Sequence, residues 1–107
     1  MQITIRGSHL VDVAKLWKRG GMYQVTIVRE EVVELLRAHD NKEAMVIVEG
    51  IPFKGKLKYE VPKRGRPYIR IFLPKKLNVI WARLHETAGK IKVEIIMENG
   101  MQDGDAK

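Results

Sequence analysis

From Tyr68 the chain reads YIRIFLPKKLNVIWARLHETAGKIKVEIIM, and the spacing of its apolar residues changes twice within that stretch. YIRIFL has the composition of a strand. Pro74 then stands at a first-turn position, and Leu77, Ile80, Trp81 and Leu84 recur at the i, i+3, i+4, i+7 spacing of a helix face. Gly89 stops that helix, and KIKVEIIM returns to alternation with Ile91, Val93 and Ile95 on one side. Strand-helix-strand units of this length recur in α+β domains.

The same reading extends upstream. MQITIR alternates as a short strand, and Ser8 can cap a helix presenting Leu10, Val13, Ala14 and Trp17 on one stripe, with Gly20 and Gly21 ending it. MYQVTIV reads as a strand. REEVVELLRAHD reads as a short helix with acids in its first turn and Arg37 and His39 in its last, which suits the helix dipole. Asp40 and Asn41 turn the chain into AMVIVE, a nearly all-apolar strand. FKGKLKYEV then alternates, with Phe53, Leu57, Tyr59 and Val61 on one face and Lys54, Lys56, Lys58 and Glu60 on the other. Residues 1–98 form one domain on this reading, and 99–107 a frayed, flexible tail.

Two spans share an order of parts. YQVTIVREEVVELLRAH from Tyr23 and YIRIFLPKKLNVIWARLH from Tyr68 each have a Tyr-led strand, a charged helix start, an apolar helix stripe, an Arg-x-His ending and a following apolar strand. The second span resembles the half-barrel of the AbrB and MazE transition-state regulators and antitoxins: IFLPKKL, then GKIKVEI, is similar to their strand ending in Pro-Lys-x-hydrophobic, short helix and strand. In the first span Val28-Arg29 replaces the proline, and AHDNKEA replaces the usual Gly-Asp turn. The resemblance implies a double-split β-barrel whose two halves come from one chain instead of a dimer. The expected fold is α+β: a small β-barrel or mixed sheet with two to three short helices, pseudo-twofold and double-split if the repeat holds. A homodimer is an admissible assembly.

Charge is distributed unevenly. The chain carries +7, yet Phe53 to Lys76 holds nine basic residues against Glu60 alone, while the rest is nearly balanced. A local field of one sign implies a polyanionic partner. Lys54, Lys56 and Lys58 at alternate positions lie about 7 Å apart on one strand face, close to the spacing of successive phosphates. The same charge continues through Lys63, Arg64 and Arg66 into Arg70, Lys75 and Lys76. Lysines on a solvent face also occur without any ligand.

Arg64-Gly65-Arg66-Pro67, with Pro62-Lys63 before it, resembles the core of an AT-hook. That resemblance implies arginines entering a narrow groove while glycine lets the backbone approach its floor. Here Tyr68-Ile69 follows in a strand, unlike a free AT-hook. Tyr59 and Tyr68 border the basic segment and could stack on unpaired bases. Trp17 and Trp81, on apolar stripes, read as core.

Catalytic constellations are thin. GIPFKGKL matches the phosphate-loop formula, but Leu57 stands where a magnesium-binding hydroxyl is needed, and a strand follows where a helix should open. The three histidines lie in separate elements, Ser8 is the only serine, and no cysteine is present. The absence of cysteine is compatible with an intracellular or heat-adapted source. No apolar run reaches bilayer-spanning length and no leader is visible, so a cytoplasmic protein without a membrane partner is expected. These observations lead to a non-catalytic nucleic-acid-binding domain with no cofactor and no metal, projecting a basic hairpin over 53–73. Duplex DNA comes first, in an architectural or regulatory role; RNA or single-stranded DNA follows, and an acidic protein partner is the alternative outside that class.

Overall fold

The computed structural model describes residues 4–6 and 9–97. Ser8 and the tail 99–107 lie outside the described residues. The elements are β1 (Thr4–Arg6), β2 (His9–Arg19), β3 (Met22–Ile27), α1 (Glu30–Arg37), β4 (Glu43–Val48), β5 (Ile51–Lys56), β6 (Lys58–Glu60), β7 (Tyr68–Phe72), a 3-10 turn (Lys75–Leu77), α2 (Asn78–Thr87) and β8 (Lys90–Ile96). One eight-stranded sheet runs in the order β5-β4-β8-β2-β3-β7-β6, with β1 pairing on β2. Every pairing is antiparallel. The protein is α+β: a curved, half-barrel-like antiparallel sheet with two helices.

The helix expected from Ser8 to Trp17 is instead the long strand β2. Its inward positions are Leu10, Asp12, Ala14 and Leu16, all buried, at a period of two. Asp12 hides the alternation, because a carboxylate occupies a slot where an apolar side chain would announce a strand. The structure holds it there with two donors: Arg29 Nε lies 3.1 and 3.2 Å from its two oxygens, and the Val13 amide donates to Oδ1 at 2.8 Å. Trp17 falls on the opposite, outer face and is 42% exposed, so it is not a core residue. Gly20 and Gly21 end no helix. They form the two-residue turn of the β2–β3 hairpin, across which Arg19 pairs with Met22, and Gly20 takes the positive φ of 61° that such turns demand.

The strand read through Phe53 to Val61 also divides. Buried Leu57 interrupts it, giving a bond from its amide to Lys42 O at 2.9 Å and accepting one from the Asn41 amide at 2.7 Å. Before Leu57 the chain pairs with β4; after it, with β7. The two ends of the sheet path are therefore successive pieces of one stretch, and the sheet must curl to supply both. At the inner crossing point sits Gly55, where an added Cβ would lie 3.0 Å from Ile71 Cγ2 and 3.1 Å from Val46 Cγ2. The glycine that completes the phosphate-loop formula is thus a packing glycine in a strand. Val61, expected on the apolar face, is 66% exposed.

The remaining elements follow their periodicity. Val25, Ile27, Val46, Val48, Ile69, Ile71, Ile91, Val93 and Ile95 line the inside of the curved sheet. Helix α1 buries Val32, Val33 and Leu36, while α2 buries Trp81 completely and leaves Ile80 exposed. Pro74 precedes the 3-10 turn, and α2 proper starts only at Asn78. Among the described residues no helix is long and apolar enough to cross a membrane.

Candidate nucleic-acid interface

The basic residues expected to form one hairpin surface lie in three places. Lys54 and Lys56 are exposed on β5, with β4 and β8 between that strand and β2. Lys58 belongs to β6, is half-buried, and donates through Nζ to Asn41 Oδ1. The row of three lysines is therefore broken by the crossing at Leu57, and the hairpin itself is shorter than 53–73: it pairs only Lys58–Glu60 with Tyr68–Arg70. Lys75 and Lys76 are exposed in the 3-10 turn. That turn is tied to the β2–β3 hairpin by Leu73 N to Tyr23 O at 2.9 Å and Asn78 Nδ2 to Gly21 O at 3.1 Å.

Between the paired strands, residues 61–67 make an exposed loop whose half-buried prolines, Pro62 and Pro67, flank Lys63, Arg64, Gly65 and Arg66. Gly65 has φ +97°, a value that side chains with a Cβ rarely adopt. Among the described residues none forms a side-chain hydrogen bond or ion pair with Lys63, Arg64 or Arg66. Arg70 is engaged, paired with Glu60 and lying 4.8 Å over the centroid of Phe72. Arg66 also lines a cavity of about 220 Å³ with Glu30 and Glu34 of α1, so two carboxylates stand near that cation.

The outer face of β2, β3 and β7 carries a feature that charge alone does not announce. Register places Trp17 opposite Gln24 and Gln24 opposite Phe72; one step along, Lys15, Thr26 and Arg70 form a second row. Tyr68 shares that face by alternation. Trp17 and Phe72 are 42% and 41% exposed, and Val28, just past β3, is 70% exposed. Trp17 Nε1 donates to Thr26 Oγ1 at 2.7 Å, which fixes the ring's orientation, and Lys15 Nζ lies 4.1 Å from the ring centroid. Two cavities adjoin here. One of about 330 Å³ is lined by Lys15, Trp17, Val28, Arg29 and Lys90 among others, and one of about 290 Å³ by Trp17, Gln24, Thr26, Val28 and Tyr68. The cavity of Arg66 and Pro67 touches the same Val28.

Of these residues the sequence reading held only Tyr68, Arg66 and Arg70. A signal was present: once β2 is a strand, Lys15 and Trp17 must point away from Leu16, just as Gln24 and Thr26 point away from Val25. Tyr59 does not join the group, since it lies opposite Ile69 on the inner side and its ring packs 5.5 Å from the Arg37 guanidinium.

The histidines stay apart. His9 bonds Glu94 Oε1 at 3.1 Å, and His85 sits edge-on to Tyr23 with centroids 5.9 Å apart. His39 follows α1, with Nδ1 buried and unpartnered. Burial, and then the charge of Lys42, lower its pKa from the ordinary 6.5. The unfolded chain therefore takes up this proton at a higher pH than the folded one. The stability tied to His39 is complete above the unfolded pKa and is lost as pH falls below it. Urea midpoints measured between about pH 7 and pH 5 should fall more for wild type than for His39→Gln; equal slopes would show that burying the imidazole costs nothing.

No group of three or more His, Asp or Glu side chains among the described residues is placed to hold a metal ion. Comparison with protein-family models, with curated proteins and with solved structures found no match to this chain.

Proposed function

We propose that this chain is a nucleic-acid-binding domain that works without catalysis, and that the loop 61–67 is its phosphate-contacting element. One contrast carries the reading. Lys58 and Arg70, on the strands that frame the loop, already have partners, whereas Lys63, Arg64 and Arg66 stand exposed around Gly65 with none recorded. Cations free of internal partners give up little on meeting a phosphate, and the arginine fork suits phosphate geometry. Duplex DNA stays within the proposal, because Arg64 and Arg66 flank a glycine that lets the backbone approach a groove. A cytoplasmic setting belongs to the same reading.

We also propose that the sheet is a pseudo-twofold barrel of the double-split kind, built from two like units. The pairing supports this. β3 pairs with β7 and β4 with β8, each antiparallel, as equivalent strands about a twofold axis must. β2 pairs with β3 and β8, and the 51–60 stretch pairs with β7 and β4 in the matching way. With both units in one chain, closure needs no second copy.

The test is a salt series on duplex and single-stranded oligonucleotides. About five phosphate contacts predict a slope near −4.5 in log affinity against log salt for duplex, which is roughly a 500-fold loss between 50 and 200 mM. Arg64→Ala with Arg66→Ala should flatten that slope by about 1.8. A salt-independent response, or tight binding to an acidic protein with none to nucleic acid, would overturn the proposal.

A further inference from the structure

We propose that the nucleic acid held by this domain is unpaired, and that its bases stack in the trough on the outer face of β2, β3 and β7. This inference rests on the nucleic-acid reading above and adds the form of the ligand. Its basis is the aromatic row, which the basic loop does not explain.

Trp17, Phe72 and Tyr68 share one sheet face, and the first two present about two-fifths of their surface to solvent. Two large aromatic rings so exposed, with Val28 beside them, lie outside the core, and their contacts in the fold are one hydrogen bond and two cations over their faces. A duplex cannot use them, because its base faces are already stacked on one another and only edges and phosphates are presented. An unpaired strand offers those faces, and every base has one.

Charge on the same face suits that ligand. Lys15 and Arg70 lie directly over the Trp17 and Phe72 rings, and Lys90 and Arg66 line the adjoining cavities. The acids nearby are mostly engaged: Asp12 with Arg29, and Glu60 with Arg70. Glu30 and Glu34 stand only at the Arg66 end. A base arriving on Trp17 takes the place of the Lys15 ammonium, which can then meet that nucleotide's phosphate.

Geometry is set in advance. The Trp17 ring is held by its bond to Thr26, so stacking does not have to pay for ordering a mobile side chain. Gln24, opposite Trp17 on β3 and largely buried, lines the adjoining cavity with Tyr68, and the amide and hydroxyl there can bond base edges.

The experiment measures binding of a labelled 12-mer as single-stranded DNA, as RNA of the same sequence and as duplex DNA, near 150 mM salt. Wild type should bind an unpaired form at least about tenfold more tightly than duplex, and the DNA and RNA arms show which sugar is preferred. Trp17→Ala should weaken unpaired binding by about 5-fold to 150-fold and leave duplex binding within about twofold. Trp17→Phe should restore much of the loss, and titration with unpaired strand should quench wild-type tryptophan emission, with the quench lost in Trp17→Phe. Arg64→Ala with Arg66→Ala should weaken all forms alike. If Trp17→Ala changes unpaired and duplex binding equally, or neither, and no quench is seen, stacking is excluded while the nucleic-acid reading stands. If no form binds at any salt, both fall.

Discussion

Trp81→Ala is expected to destabilise the domain by about 3–5 kcal/mol, read as a shift of the urea midpoint. Trp81 is 0% exposed and is the largest fully buried side chain. Its ring meets Phe53 edge-on with centroids 6.0 Å apart, and its Nε1 donates to Pro74 O at 2.9 Å. Truncation would remove the transfer energy of the indole, open a cavity between α2 and the sheet, and leave the Pro74 carbonyl with only the Leu77 amide, at 3.1 Å, as donor. Trp81→Phe keeps most of the apolar volume and loses the bond, so a smaller cost of about 1–2 kcal/mol is expected. The same truncation at Trp17 should cost less than about 1 kcal/mol, because that ring is nearly half in water and contributes one hydrogen bond. Equal losses at the two tryptophans would contradict the assignment of one to the core and the other to the outer face.

The second large effect is expected at the Arg29–Asp12 pair. The Asp12 side chain is 1% exposed and that of Arg29 32%. Arg29→Ala would leave a buried carboxylate with the Val13 amide in place of that amide and the guanidinium together, at a cost of about 3 kcal/mol. Asp12→Ala should cost less, about 1–2 kcal/mol, since the guanidinium already reaches solvent and can turn to it. Removing both should recover part of the Arg29→Ala loss, for then no charge is left buried alone. A double variant that loses the full sum of the two single effects would show that the pair is not coupled.

These two sites also explain what could be read before the structure. Strands β3, β4, β7 and β8 and both helices were legible because their inward positions are apolar without exception, even where outward ones such as Met45, Ile47 and Phe72 are apolar too. β2 was not. Asp12 faces inward while Val11, Val13 and Trp17 face outward, so four residues of that strand invert the rule on which periodicity depends, and Leu10, Val13, Ala14 and Trp17 happen to fit a helical stripe. The division between β5 and β6 was hidden for the opposite reason. Leu57 continues the alternation without a fault, and the crossing is set by its bonds to residues 41 and 42, far away in sequence.

The candidate site divided along the same line. Local charge is visible in any sequence, so the loop 61–67 and Arg70 could be named as candidates from it. The aromatic face depends on knowing that β2 is a strand and that it lies beside β3, with β7 next, and it was found only in part, through Tyr68.

The pairing of β2 with β8 has a consequence for the order of events during synthesis. Leu10 lies opposite Ile95 and Ala14 opposite Ile91, so one of the first strands to be made completes its ladder with the last described one. Hairpins β2–β3 and β4–β5 can close from neighbouring residues, but the middle of the sheet must wait for β8. Loop-closure entropy across most of the chain is then paid in a late step, which predicts slow, cooperative folding. Until that step, the inward Asp12 and the apolar edge of β4 have no β8 beside them, and the interval before β8 docks is when this chain is most exposed to wrong partners.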